Sequence, residues 1–102
     1  MQPKIAVIGI LRFPAENIHA VLPHLQKLVE TTRSIDGCVA YDVAEDPFDP
    51  GLIRFSELWP NRESLLNHLA TDHVKQWRAM AKNNGLMDRQ FASYDIIGFQ
   101  PV

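Results

Sequence analysis

The sequence predicts an α+β domain of the ferredoxin-like type: element order β-α-β-β-α-β, with a four-stranded antiparallel sheet. Three observations predict it. Ile5 to Leu11 is an apolar run of seven residues, the pattern of a strand covered on both faces. The stretch from Ile53 to Trp59 alternates strictly, with Ile53, Phe55, Glu57 and Trp59 on one face and Arg54, Ser56 and Leu58 on the other. Two segments of helical period, 15–34 and 61–83, divide the strands into the split pattern. Both helical segments then lie on one face of the sheet. The other face keeps apolar residues with no helix to cover them, so the pattern itself predicts a homodimer through that face.

Each element has its own reason. Lys4 to Phe13 is the first strand, and Pro14 ends it. From Ala15 to Ser34, Ile18, Val21, Leu22, Leu25, Leu28 and Val29 share one helical face. Pro23 sits inside this pattern and predicts a kink or a separate first turn. Asp36-Gly37 ends the helix with turn chemistry. Cys38 to Glu45 is the second strand, with Val39, Tyr41 and Val43 on one face. Asp46 to Gly51 is a loop by composition. After the third strand, Pro60-Asn61 turns a corner. Asn61 is suited to an N-cap, and Glu63 falls in the first turn, where the helix dipole favours a carboxylate. The helical region runs from Asn61 to Asn83 with a break near Thr71. Phe91 to Phe99 is the last strand, with Phe91, Ser93 and Asp95 opposite Ala92 and Tyr94.

The 102 residues, 1–102, fit one domain. A formal net charge of −2 gives no bulk field for nucleic acid or an anionic membrane, so neither is an expected partner. The single cysteine, Cys38, permits no intrachain disulfide and fits a reducing, cytoplasmic setting. Cys38 reads as a buried inert thiol. No signal peptide or membrane span is expected from the short N-terminal apolar run.

Glu57 is the first chemical oddity: a carboxylate between Phe55 and Trp59 on an apolar face needs a partner or a wet cavity. His68 and His73 are the natural bases, because histidine titrates near neutral pH. Glu57 could fix one histidine's tautomer by accepting its ring proton, or could form a structural pair with it. The catalytic candidates are therefore His68, His73 and Glu57. Phe55, Trp59, Trp77, Tyr41, Tyr94 and Phe91 could wall an aromatic slot, although the two tryptophans fit a core better. Asn67 and Arg54 could orient a polar substituent of a small-molecule substrate. Two histidines and a carboxylate also invite comparison with a metal triad. On one continuous helix, however, residues five apart point about 140° apart. Only the break near Thr71 could unite them, and no metal is expected.

The pattern resembles the antibiotic biosynthesis monooxygenase domain family, which includes small quinol monooxygenases. The matching residues are Gly37 before Cys38-Val39-Ala40-Tyr41, then Arg54-Phe55, Glu57-x-Trp59, Glu63-Ser64-Leu65 and His68-x4-His73. The resemblance spans nearly the whole chain. It implies a dimeric α/β barrel with one pocket per subunit between sheet and helices. It further implies oxygenation of a phenolic or quinol-like compound with no metal, flavin or other cofactor. Related haem-degrading enzymes carry a tryptophan near the position of His68 and a haem-ligating histidine about ten residues on; this chain has Arg78-Ala79 there, which argues against haem chemistry. Two further readings stay open: a non-oxidative isomerase or lyase using the same histidines, and a non-catalytic dimeric ligand-binding or stress-related protein.

Overall fold

The computed structural model describes residues 2–102. In chain order it contains β1 (Ile5–Arg12), a 3₁₀ turn (Ala15–Asn17), α1 (Ile18–Ile35), β2 (Ala40–Glu45), β3 (Leu52–Trp59), α2 (Arg62–Leu69), α3 (Asp72–Asn83) and β4 (Asp88–Asp95). The strands form one sheet in the order β2-β3-β1-β4, and every neighbouring pair is antiparallel. This is the ferredoxin-like α+β arrangement.

Strand parity decides where the core lies. Ile5, Val7 and Leu11 of β1 point to the helices, in register with Trp59, Glu57 and Ile53 of β3. These side chains are buried, as are Phe55 and Tyr41 beside them. From above, α1 contributes Val21, Leu25 and Leu28. Each buried aliphatic or aromatic side chain in this layer contributes roughly 1.5–3 kcal/mol. Tyr41 meets Phe55 edge to face, with ring centroids 6.2 Å apart. The opposite parity faces away from the helices: Ile8 of β1 is 59% exposed, and Tyr94 of β4 is 53% exposed.

The region from Asn61 to Asn83 divides into two helices because each has its own cap. The Asn61 side chain accepts from Ser64 N at 2.8 Å, and Thr71 Oγ1 accepts from Val74 N at 3.4 Å. Pro23 lies well inside a continuous α1. The separate turn ahead of that helix ends at Asn17, so Pro23 does not set it. Tertiary packing carries the helix through the proline.

The last strand runs over 88–95 rather than 91–99. Its limits are set by its partner: Asp88 pairs with Arg12 and Asp95 with Ile5, and β1 has no more residues to offer. The polar residues Asp88 to Gln90 therefore become strand. Ile97 and Phe99 lie beyond it and are exposed. No helix among the described residues is long and apolar enough to cross a membrane.

Candidate active site

Asp36 is the hub of the site. It is the C-cap of α1, with its N–H donating to Thr32 O at 3.1 Å. Gly37 follows at φ 73°, the left-handed conformation that glycine adopts without steric cost and that turns the chain away from the helix. A carboxylate here lies at the wrong end of the helix dipole. Two histidines offset that disfavour. His68 Nδ1 lies 2.6 Å from Asp36 Oδ2, and His73 Nε2 lies 2.7 Å from the same oxygen. The side chains of Asp36 and His68 are 6% and 3% exposed, so this network is shielded from water.

The corner between α2 and α3 brings the histidines together. Thr71 Oγ1 donates to His68 O at 2.7 Å and lies 3.3 Å from His73 Nε2. One hydroxyl thus caps α3, ties off the end of α2 and touches the second histidine. Without the corner, the two rings would diverge around a single helix.

Burial is the main influence on His68 and lowers its pKa; the Asp36 carboxylate pulls it back up. The ring is therefore neutral at neutral pH. With its Nδ1–H donated to Asp36, Nε2 is left as the acceptor, and His68 can take a proton from a bound molecule. It packs against Trp59 and Tyr41, with ring centroids at 4.8 and 5.4 Å. Burial also raises the pKa of the Tyr41 hydroxyl and keeps it protonated.

Glu57 has a different role from the one its sequence position suggests. Its carboxylate accepts from Trp59 Nε1 at 2.9 Å, whereas both histidines turn to Asp36. Burial pushes the Glu57 carboxyl up to about 7, against the Trp59 N–H and the Arg89 charge, which lower it. It can thus hold or release a proton near neutral pH.

These groups meet at a cavity of about 690 Å³ between the sheet and the helices. Tyr41, Glu57 and His68 line its buried end; Phe55, Leu65 and Trp77 form its walls. Phe91 lies at the side next to β4. Its ring rests over Gly9, where an added Cβ would fall 2.2 Å from Phe91 Cδ2. Glycine on β1 is what allows that ring to lie down and meet Phe55 at 5.1 Å.

The structure gathers six of the sequence candidates around the cavity: Tyr41, Phe55, Glu57, His68, Trp77 and Phe91. Trp59 is fully buried behind His68 as core. His73 bonds Asp36 from outside the main cavity and borders a second, smaller one with His24 and Lys27. Asn67 is exposed and does not border the main cavity. Arg54 and Tyr94 cannot contribute to it, because strand parity sends both to the helix-free face. There Arg54 pairs with Asp46 at 2.8 Å. Sequence reasoning missed Asp36, Arg62, Arg78, Arg89 and Ser93. For Asp36 one signal was present: an acid at a helix C-terminus, against the dipole, immediately before a glycine.

Asp36, His68 and His73 offer three ligand atoms within 4.8 Å of one another. Those residue types could hold a divalent cation. Yet both nitrogens sit 2.6–2.7 Å from one oxygen, the spacing of charge-assisted hydrogen bonds. Ligands around zinc, with bonds of about 2.0–2.1 Å in a tetrahedron, stand roughly 3.3 Å apart. The trio fits shared protons better than a shared ion.

Residues 4–80 match the sequence profile of the antibiotic biosynthesis monooxygenases. A crystal structure from Deinococcus radiodurans, provisionally named an antibiotic biosynthesis monooxygenase, superposes with a TM-score of 0.90. The identity is 28%, over 96% of this chain and 97% of that one. A second crystal structure, named antibiotic biosynthesis monooxygenase, superposes with a TM-score of 0.84 at 34% identity, over 92% of this chain and 99% of that one. An uncharacterised Synechocystis protein is 27% identical over 73 residues, which is 72% of this chain and 50% of that protein. The chain therefore spans about half the length of that curated relative.

Proposed function

This chain belongs to the antibiotic biosynthesis monooxygenase family, and from that premise we propose that it is a cofactor-independent monooxygenase of a small phenolic or quinol-like substrate. The observation that carries the reading is the Asp36–His68 pair at the buried end of an aromatic-walled cavity. Oxygenation without a cofactor needs a substrate that becomes electron-rich on losing a proton. His68 Nε2 takes the phenolic proton while Asp36 holds the other ring nitrogen and stabilises the imidazolium, the division of labour seen in hydrolase triads. The phenolate then gives one electron to molecular oxygen. Recombination of the two radicals, with the proton returned by His68, forms a hydroperoxide on a ring carbon that bears hydrogen, and loss of that hydrogen with the terminal hydroxide as water leaves a carbonyl. One oxygen atom ends in the product and the other in water. The water-excluded end of the cavity protects the intermediates. Glu57, titrating near neutrality, supplies or accepts the proton that accompanies water loss.

The subunit is proposed to work as a cytoplasmic homodimer, joined through the helix-free sheet face. The exposed Ile8 and Tyr94 on that face support this assembly.

The test is oxygen uptake by the purified protein, with a chelator present, against a panel of hydroquinones, naphthoquinols and polyphenols. Uptake that is lost in His68→Ala and sharply reduced in Asp36→Asn is the expected result. Turnover without oxygen consumption would move the same residues to a proton-transfer reaction of the isomerase or lyase type. Binding without turnover would leave a ligand carrier. Sedimentation velocity of the wild type and of Ile8→Asp tests the dimer.

A further inference from the structure

The charged side chains in the exposed lining of the cavity are arginines. Among the described residues Arg62, Arg78 and Arg89 line it, and Glu57 is the only carboxylate that does. Glu57 lies at the buried end, where it is occupied by Trp59 Nε1. Arg62 is satisfied by Asp95 Oδ1 at 2.9 Å and Ser93 Oγ at 3.1 Å. Among the described residues, neither Arg78 nor Arg89 has a hydrogen-bonded or ion-paired carboxylate. By contrast Arg12, Arg33, Arg54 and Arg62 are each ion-paired. Two arginines with open donor forks thus border one aromatic cavity.

Their positions come from different elements. Arg89 is on β4, in register with Leu11, and on the helix-facing side with Phe91. Its guanidinium carbon lies 4.7 Å from the centroid of the Phe91 ring, which orients it over the cavity wall. Arg78 comes from α3, one residue after Trp77, whose ring forms a wall. A planar guanidinium offers paired N–H donors that match a carboxylate in bidentate fashion, and its charge is fixed at all working pH values. Aromatic walls, a proton acceptor at one end and open guanidinium forks at the other define a ligand with two unlike ends.

We propose that the cavity binds a hydroxyaromatic carboxylate, with the ring hydroxyl toward His68 and the carboxylate held by Arg89 and Arg78. This names the substrate class and rests on the cavity being the substrate site, as in the proposed function. It accounts for two arginines without a carboxylate partner in the lining of one cavity, in a chain whose net charge is negative. The field of the two arginines draws an anion toward the opening, an attraction that salt screens.

The test compares 6-hydroxy-2-naphthoate with 2-naphthol, the same ring and hydroxyl without the carboxylate. Binding is measured by calorimetry on the full chain at low and high salt. The acid is expected to bind about tenfold tighter or better at low salt, a preference that shrinks as salt rises. Arg89→Gln and Arg78→Gln should each remove much of the preference, read as the ratio of the two affinities in the same variant. Arg54→Gln, on the opposite sheet face, should leave it intact. Equal affinity for the two compounds, a preference that survives the Arg78/Arg89 double variant, or no binding of either compound would overturn the proposal. Oxygen uptake separates this inference from the reading beneath it. A neutral hydroquinone that is oxygenated with no preference for acids removes the inference alone. Acid binding that depends on the arginines, with no oxygen uptake by any compound, removes the monooxygenase reaction alone.

Discussion

At the buried end of the cavity, His68 packs against Tyr41 and bonds Asp36 at 2.6 Å, and Glu57 accepts from Trp59 Nε1 at 2.9 Å. Along β4, at the other end, Phe91 is half-buried, and Arg89 and Ser93 are exposed. The first end is built from four elements, α1, α2, β2 and β3, whose side chains here are buried. The second is one edge strand that the helices do not cover, and its side chains keep their rotamers. Preorganisation belongs where charge develops, and adaptability belongs where a variable ring must enter. A change at the buried end should therefore cost chemistry and stability together, whereas a change at β4 should be absorbed.

The sharpest way to break that contrast is His68→Ala. Removing a general base of this kind lowers turnover by roughly 10²–10⁴-fold. Steady-state oxygen uptake measures it, and a loss below tenfold would place the base elsewhere. Glu57→Gln comes next and is read in stability. The folded-state pKa of Glu57 is raised to about 7 from 4.5, so its contribution is fully present below the unfolded value. That contribution is lost as pH rises through the folded value. The variant keeps the acceptor for Trp59 Nε1 but has no titration. Urea unfolding at about pH 5 and about pH 8 should show E57Q gaining up to roughly 3 kcal/mol on the wild type across that interval. His68, with a lowered pKa, works in the opposite sense. Its contribution is present above the unfolded value and is lost as pH falls through the folded one. It is common to both proteins and cancels in the comparison.

Gly9→Ala tests the β4 side. The new methyl would meet the Phe91 ring, the far part of a side chain that can swing toward solvent. A cost of about 1–3 kcal/mol by thermal unfolding is expected, with ligand affinity changing more than the rate constant. A larger loss would mean that β4 is as rigid as the buried end. The smallest effect is Thr71→Ala. Losing the α3 cap costs about 1 kcal/mol. Because the same hydroxyl also ties off α2 at His68 O, turnover should fall along with stability, which an ordinary cap substitution elsewhere would not do.

The sheet was legible because its parity is strict. Phe55, Glu57 and Trp59 on one face and Arg54 on the other follow from alternation alone, and the register of β3 with β1 respects it. The same parity already separated Arg54 from Glu57 and Tyr94 from Phe91, so neither Arg54 nor Tyr94 belonged in a single slot with the rest. The break at Thr71 was legible from local chemistry. Asp36 was not, because its histidines lie 32 and 37 residues away and only the packing of α1 against α3 unites them. Sequence alone offers Glu57 as a partner for one of the histidines. Yet Trp59, two residues on and on the same face, was the closer donor all along. The ends of β4 depend on the length of β1, a non-local fact that no window of local sequence contains.

The α2–α3 corner also makes the site depend on three helices at once. The proposed base, His68, is carried by α2, a helix of eight residues whose buried side chains are Leu65 and His68 itself. Its hydrogen-bond partner is fixed to the end of α1 and its neighbour to α3. The constellation exists only while all three helices are docked at once. If α2 peels away, His68 leaves Asp36 even though the sheet and α1 remain folded. Sub-global opening of this kind costs less free energy than full unfolding. Heat or mild denaturant should therefore silence the protein before it melts. Amide exchange in α2 should track the loss of activity, while exchange in β1 and β3 reports the stability of the whole chain.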